Sequence, residues 1–185
     1  MPFLTSPRLS FRHWTEADLP LAFTLWGDPE VGRYLGGALS LAATEARLQL
    51  EMETQRTFGV QYWPISDRRT QEFVGCAGLR PYHDEPRVFE VGVHIKRDFW
   101  SQRMGEEASR AVMRYGFVDL KLDALTIGHN PGNSHSKSMI ERLGFIYTHA
   151  EPRGAFDIEH LFYRLDRAQA LSHEPDGIPD LTNSL

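Results

Sequence analysis

Asn133 and Ser136 open the stretch NSHSKSMIERLGF, residues 133–145, and put an amide and a hydroxyl at the head of an apolar stripe. From Ser136 the stripe runs through Met139, Ile140 and Leu143, the i, i+3, i+4, i+7 spacing of a helix with one buried face. Asn133 suits an N-cap, Gly144 a left-handed C-cap, and Phe145 can pack back on the last turn. A hydroxyl on such an inward face either bonds back to its own helix or meets a ligand. The stretch EVGVHIKRDFWSQRMGEEASRAV, residues 90–112, runs from a strand through a short basic loop into a second helix. A first turn holding Ser101, Gln102, Met104 and Gly105 offers unpaired N–H groups and a partial positive charge, which suits a phosphate. Lys96, Arg97 and Arg103 add charge beside it. In the strand itself Val91, Val93 and Ile95 share one face, while Glu90, Gly92 and His94 share the other.

Composition narrows the classes. The chain has 185 residues, 41% of them hydrophobic, enough for one globular domain with a real core. A net charge of −5 argues against a phosphate-tracking nucleic-acid surface and mildly suits a cationic substrate. Cys76 is the single cysteine, so no intrachain disulfide or cysteine-rich metal cage forms. His129, His135, His149 and His160 lack the local spacing of a zinc site, and no metal is expected. No signal peptide or membrane-length apolar run is present, which makes a cytoplasmic protein the default.

The elements that must position these residues follow from periodicity. RLSFRHW, residues 8–14, alternates like a strand. Thr15 and Asp18 form a capping box for a helix whose stripe is Leu19, Ala22, Phe23 and Trp26. A short helix in PEVGRYLGG breaks at Gly36 and Gly37, and Ser40 caps a longer polar helix reaching about Phe58. GVQYWPI, EFVGCAGLRPY and RVFEVGVHI read as strands, the first two joined by the hairpin loop SDRRTQ. Pro64 marks an edge or a bulge. MGEEASRAVMRYGF is amphipathic through Met104, Ala108, Ala111, Val112 and Tyr115. DALTIGH, FIYTHAE and HLFYRL supply further strands. The fold class is therefore mixed α/β (α+β), helices interrupting a mainly antiparallel sheet over residues 1–166, with 167–185 a polar tail.

This order of elements, with both stretches, resembles the GCN5-related N-acetyltransferase (GNAT) superfamily over roughly residues 5–166, specifically its RimJ/RimL-like ribosomal-protein branch. TSPRLSFRHWTEADLPLAFTLWGDPEVGRYLGG is similar to that branch's R-L-x-x-R strand, T-x-x-D helix and D-P-E-V turn. NSHSKSMIERLGF follows its N-x-x-S-x-x-(V/M)-(L/M)-E-(K/R)-L-G-F pattern, and EVGVHI stands where the branch has E-I-G-Y-W-L.

The resemblance implies a GNAT fold with a six- to seven-stranded sheet. It implies acetyl-CoA as donor and a primary amine as acceptor, either a protein N-terminus or a small molecule such as a polyamine or an antibiotic. An acetyl-CoA-binding protein without turnover is a second class, and an unrelated α/β binding module in which both motifs are coincidence is a third. A monomer or homodimer is expected. WSQRMG, residues 100–105, aligns with the family's pyrophosphate loop (Q/R)-x-x-G-x-(G/A). Gly105 keeps the last small residue, but Arg103 stands where the family has glycine. With a negative φ, Arg103 would still offer its N–H; otherwise the cofactor would bind weakly or not at all, and binding is expected to survive. The cofactor-binding set is His94, Ile95, Gln102, Arg103, Met104, Gly105, Asn133, Ser136 and Lys137. Asn133 would bond the pantetheine arm and Ser136 would lie near the sulfur. Many family members protonate the thiolate with a tyrosine at the position of Ile140, which has no proton to give. Ser136 is the substitute, with Tyr147 a second candidate. Glu90 is the implied base, direct or through a water, and His94 on the same face is its rival. The acceptor pocket should lie between Trp26–Leu35 and the hairpin EPRGAFDIEH.

Overall fold

The structure, a computed structural model, describes residues 2–153 and 158–172. Its strands are β1 (Leu4–Thr5), β2 (Leu9–Phe11), β3 (Tyr62–Asp67), β4 (Phe73–Pro81), β5 (Val88–Ile95), β6 (Ala124–His129), β7 (Ile146–Arg153) and β8 (Ile158–Asp166). Its helices are α1 (Leu19–Trp26), α2 (Pro29–Gly32), α3 (Leu41–Phe58), α4 (Met104–Arg114), α5 (Ser134–Arg142) and α6 (Arg167–Ser172). The strands form one sheet in the order β1-β2-β3-β4-β5-β6-β8-β7. Every pairing is antiparallel except β5 with β6. Among the described residues there are eight strands, against the six or seven expected. The extra one is β1, two residues that pair Leu4 with Phe11 and are too short to show a period.

The sheet separates two apolar layers. One side carries Trp63, Ile65, Ala77, Leu79 and Val91 against α4 and α5, with Ala108, Val112, Ile140 and Leu143. The other carries Tyr62, Phe73 and Cys76 against α1 and α3, with Trp14, Trp26 and Leu48. Thr15 and Asp18 make the expected capping box, Asp18 accepting from the Thr15 N–H at 2.8 Å, and a 3-10 turn leads into α1. Pro64 lies beside a register shift between Ile65 and Ser66, so the bulge reading holds inside an interior strand. The amphipathic helix ends at Arg114 and widens into a π-turn over Tyr115–Asp119. Beyond residue 166, α6 buries Ala170 against the core, and the Arg167 N–H bonds the Asp123 carbonyl at 2.9 Å. Residues 173–185 of the expected tail lie outside the described residues.

α3 reads as polar, and its inward stripe shows why. Thr44, Leu48, Glu51 and Thr54 are its buried residues. Glu51 is fully buried, accepts from the Tyr62 N–H at 2.9 Å and from Arg47 Nε at 2.9 Å, and pairs with Arg80. A buried carboxylate is tolerable only when its oxygens are bonded and its charge is met. Here the polar helix is pinned to β3 and β4 by charge more than by grease.

The start of α4 is fixed from a distance. Glu107 accepts from Ser6 Oγ at 2.6 Å, from the Arg8 N–H at 2.8 Å and from Arg8 Nε at 2.6 Å. The rest of that guanidinium donates to the Gln102 carbonyl at 3.1 Å. The β1–β2 turn thereby holds the loop before α4. Burial alone would raise the Glu107 pKa, but the Ser6 and Arg8 bonds hold it below the ordinary carboxylate value. A depressed folded pKa stabilises the native state above the unfolded value, and that stabilisation is lost as the pH falls through the folded one. Glu107→Gln should therefore cost about 1–2 kcal/mol at pH 7. The gap between wild type and variant should close on acidification. Denaturant midpoints at pH 7 and pH 4 check this; a pH-independent gap would contradict it.

Candidate active site

β5 and β6 run parallel only for three residue pairs, Val88 with Ala124, Phe89 with Leu125 and Glu90 with Thr126. Beyond them β5 keeps its partner β4 as far as Ile95, while β6 continues to His129 paired only with β8. The two strands part after Glu90, and a cleft of about 500 Å³ opens along the split. Its walls include Val91, Gly92, Val93 and His94 from β5, Ile127, Gly128 and His129 from β6, and Asn133 and Ser136 at the head of α5. Trp26, the α2 turn through Gly37, Leu39 and Arg47 close it on one side, and Arg153, Ile158, His160 and Phe162 on the other. Trp26 to Leu35 and Arg153, Ile158 and His160 fall in the two segments expected to form the acceptor pocket, whereas Gly37, Leu39, Arg47 and Phe162 lie outside them. Residues 154–157 of that hairpin lie outside the described residues.

Glu90 sits where the strands part. Burial raises its pKa, against the opposing charges of Arg153 and Arg80. Arg153 Nη2 stands 3.5 Å from its Oε2, while Arg153 Nε makes a closer bond, 2.5 Å, to Glu151 Oε1. The neighbouring Thr126 hydroxyl is buried and has no hydrogen-bond partner among the described residues. A partly desolvated carboxylate with a raised pKa is suited to act as a proton acceptor.

His94, two residues along the same face, is differently placed. Its Nδ1 accepts from Trp26 Nε1 at 3.1 Å. Burial pushes its pKa down to about 3, helped by the Arg47 and Arg80 charges. The ring is neutral with its proton on Nε2, so it is a hydrogen-bond donor to the cleft. The expectation that it rivals Glu90 as base is corrected by that tautomer. Between the two lies the Tyr62 ring. A Cβ on Gly92 would fall 2.1 Å from Tyr62 Cζ, so only glycine lets the ring cross β5 there. Tyr62 is 5% exposed, and its hydroxyl has no hydrogen-bond partner among the described residues. Burial first, then the Glu90 charge, keep the phenol protonated.

At the head of α5, Asn133 is the N-cap, its Oδ1 accepting from the Ser136 N–H at 3.0 Å. That use of Oδ1 leaves the Nδ2 group as the donor toward the cleft. The Ser136 hydroxyl makes no bond back to its helix among the described residues and lines the cleft. Below it Met139, Ile140 and Leu143 pack as the stripe predicts. Tyr147 is corrected: it lies on β7, 52% exposed and edge-on to Tyr163, outside the cleft walls. Lys137 is exposed and stands 3.8 Å from Glu141. Ile95, Gln102, Arg103, Met104 and Gly105 likewise lie outside the cleft walls. Gly105 packs where a Cβ would be 3.3 Å from Ile95 Cγ1, which sets the start of α4 directly behind β5.

α4 begins at Met104, later than expected, with Arg103 as N-cap at φ 56° and ψ 22°. Ser101 is also left-handed, at φ 65°. Of the two cases weighed for Arg103 the structure takes the left-handed one, the case expected to leave cofactor binding weak or absent. The loop takes a left-handed turn that glycine would adopt freely, and an L-residue holds it at a cost of about 1–2 kcal/mol. The Arg8 clamp on the Gln102 carbonyl supplies an outside constraint that holds this turn. Left-handed residues before a helix turn successive N–H groups to one side, the concavity that binds anions. Glu106 and Glu107 in the first turn oppose an anion, but both are paired, Glu106 with Arg110 and Arg142 and Glu107 with Arg8. Lys96, Arg97 and Arg103 make none of the ion pairs among the described residues.

Sequence reasoning missed Arg47, Tyr62 and Arg80, and reached Arg153 only as part of the hairpin EPRGAFDIEH. Arg80 faces Glu90 across the β4–β5 register, a pairing that the alternation of the two strands could have suggested. The others come together only through the fold. The acidity of the whole chain also misled: the cleft wall is rich in arginine. No group of three or more metal-ligating side chains occurs among the described residues, and no helix there is long and apolar enough to cross a membrane.

Comparison with known proteins gives the same frame. Residues 8–146 match the family model described as acetyltransferase (GNAT) domain. YkkB of Bacillus subtilis (strain 168) is 29% identical over 147 residues, 78% of this chain and 86% of YkkB. The crystal structure of an acetyltransferase from Agrobacterium tumefaciens str. C58 superposes with a TM-score of 0.75 at 25% identity, covering 89% of this chain and 94% of that one. RimL, titled a ribosomal alpha-N-protein acetyltransferase in complex with coenzyme A, has the same fold, with a TM-score of 0.73 at 16% identity. It covers 90% of this chain and 98% of that one.

The Gly92–Tyr62 contact yields a direct test of the cleft wall. Gly92→Ala must displace a buried ring, so it should destabilise the chain by about 1–3 kcal/mol. It should also disturb the surface between Glu90 and His94. Chemical denaturation measures the first effect; an unchanged midpoint would mean that the ring moves freely.

Proposed function

This chain belongs to the acetyltransferase (GNAT) domain family and is an acyltransferase, and from that premise we propose that it transfers the acetyl group of acetyl-CoA to a primary amine in the manner of the RimJ/RimL-like branch. The observation that carries the proposal is the split between β5 and β6. One cleft there brings a carboxylate with a raised pKa, Glu90, together with the polar head of α5, Asn133 and Ser136.

Acetyl-CoA is a substrate whose parts match distinct features of this chain. The backbone of residues 101–105 and the charges of Lys96, Arg97 and Arg103 suit its phosphates. The edge of β5 that β6 leaves beyond Glu90 can receive the amides of an extended arm by strand addition. Asn133 and Ser136 would meet the arm and the thioester end. His94, Ile95 and Lys137 complete the proposed binding set, His94 from the acceptor side of β5.

An alkylammonium has no lone pair, so Glu90, directly or through a water, takes its proton. The neutral amine attacks the thioester carbonyl, the C–S bond breaks, and the coenzyme leaves as thiolate, which takes up a proton equivalent to the second one the nitrogen loses as the amide forms. A serine is a weak acid, so Ser136 acts chiefly by a hydrogen bond to the growing thiolate charge. The branch resemblance points to a protein α-amino group as acceptor. A cleft of about 500 Å³ falls in the range of small-molecule sites and favours a compact amine as the second reading.

Acetyl-CoA at about a hundred times its dissociation constant should stabilise the native chain by ~2.7 kcal/mol. A thermal-shift series flat to millimolar concentration would refute the donor assignment. Thiol release across a panel of primary amines tests the transfer itself. Glu90→Gln should lower kcat by ~10²–10⁴-fold with cofactor affinity nearly intact, and the defect should shrink at high pH, where the amine is already neutral. Ser136→Ala should fold normally and lose roughly ten- to a thousand-fold in kcat. Full turnover in that variant would assign the hydroxyl to structure.

A further inference from the structure

The wall of the cleft that faces Glu90 carries more positive charge than the fold itself requires. Arg47 Nε bonds Glu51 Oε1 at 2.9 Å, and Arg80 pairs with the same oxygen. Glu51 Oε2 is taken by the Tyr62 N–H. One buried carboxylate thus serves two guanidinium groups. Both stack on the Tyr62 ring, Arg80 at 4.4 Å and Arg47 at 5.7 Å from its centre, and that ring lies across Gly92 between Glu90 and His94. Arg80 Nε is buried without a hydrogen-bond partner among the described residues. The Tyr62 hydroxyl, on the same wall, is also unpartnered there. Arg153 stands on the opposite wall, over Phe162 at 4.9 Å, with Glu151 as its closer partner.

Of the four arginines that line the cleft, Arg33 has Glu30 as its ion-pair partner, and Arg47, Arg80 and Arg153 stand against Glu51, Glu151 and Glu90. When Glu90 takes up the proton of the acceptor's ammonium, the cluster is left one positive charge in excess. A second cationic group on the acceptor would add to that excess, whereas an oxyanion would cancel it. Guanidinium N–H groups also match carboxylate and phosphate oxygens in geometry.

We propose that the acceptor amine carries an oxyanion, a carboxylate or a phosphate, that Arg47, Arg80 and the Tyr62 hydroxyl hold while Glu90 faces the amine. This rests on the acetyl-transfer reading and narrows it: polyamines and polycationic antibiotics are rejected by the same three arginines. Arg47 and Arg80 are specificity-determining residues, and Glu51 is the positioning residue that fixes both.

The test measures kcat/KM by thiol release for matched acceptors: 4-aminobutyrate against 4-aminobutanamide, 2-aminoethyl phosphate against n-butylamine, and putrescine as the dication. A tetrapeptide with glutamate against glutamine at its second position brings the oxyanion on a peptide. The better of the two oxyanion arms identifies its source. The anionic member of the favoured pair should lead by ~10–100-fold, the factor for a charge-assisted bond, with putrescine poorest. Arg47→Gln leaves Glu51 bonded to Arg80 and to β3, and should bring the ratio toward one; Arg47→Lys should restore part of it. Calorimetry of the preferred oxyanion amine on protein saturated with coenzyme A gives a readout without turnover, and its affinity should fall in Arg47→Gln. Equal use of neutral, anionic and cationic amines would overturn the oxyanion proposal and leave acetyl transfer standing. No thiol release with any amine, while acetyl-CoA binds, would overturn both.

Discussion

The parting of β5 from β6 after Glu90 is the constraint on which the candidate site depends. A continuous ladder would satisfy every backbone group of β5 and bury its outward side chains against a neighbour. Instead three residue pairs hold the strands together at one end, and the other end is open. β6 is kept in place by its full pairing with β8, and β5 by its pairing with β4. The gap is thus held by the sheet on both flanks. Tyr34, packed within 3.3 Å of where a Cβ on Gly132 would stand, carries the α2 turn across to the loop before α5 and roofs the opening.

Around that gap the fold uses two kinds of fastening. On the α4 side the contacts are apolar, with Val93, Ile95, Met139 and the small Gly105 in close packing. Close approach there brings a helix N-terminus up behind the strand that carries Glu90. On the α3 side the fastening is ionic. Glu51 ties Arg47, Arg80 and the β3 backbone into one unit, and the Tyr62 ring lies within it. A buried ion pair contributes little net stability, yet it fixes directions that apolar packing would leave loose. The outcome is a pair of guanidinium groups held beside a base, which a hydrophobic helix face would not provide.

Charge also separates the two ends of the cleft by role. His94 is kept neutral by burial and by the arginines beside it, so the strand bears one carboxyl with a raised pKa and one fixed donor. The α4 loop achieves its left-handed turn with an arginine, and Arg8, far away in sequence, holds the Gln102 carbonyl of that loop. A clamp made from the β1–β2 turn thereby shapes the candidate phosphate site from outside it.

Much of this was legible in the residues. The caps at Thr15, Ser40 and Asn133, the stripes of α4 and α5, and the alternation that sets Glu90 and His94 on one face of β5 are local patterns, fixed within a few residues of the backbone, whereas the α1 stripe is off at Phe23, which is exposed while Leu25 is buried. From them the order of elements, the mixed sheet and the polar head of α5 follow, because helix and strand periods assign faces without knowledge of what lies opposite. The tertiary structure alone decided the rest. The two-residue β1 exists only because Phe11 lies beside it. The tautomer of His94 depends on Trp26, 68 residues earlier, and the charge around Glu90 on Arg153, 63 residues later. The left-handed φ of Arg103 was not readable either, since nothing in WSQRMG shows the hold of Arg8 on the loop. Contacts of that separation depend on strand register and helix packing. A linear pattern records which face a side chain takes, and the folded chain decides what charge, ring or backbone it finds there.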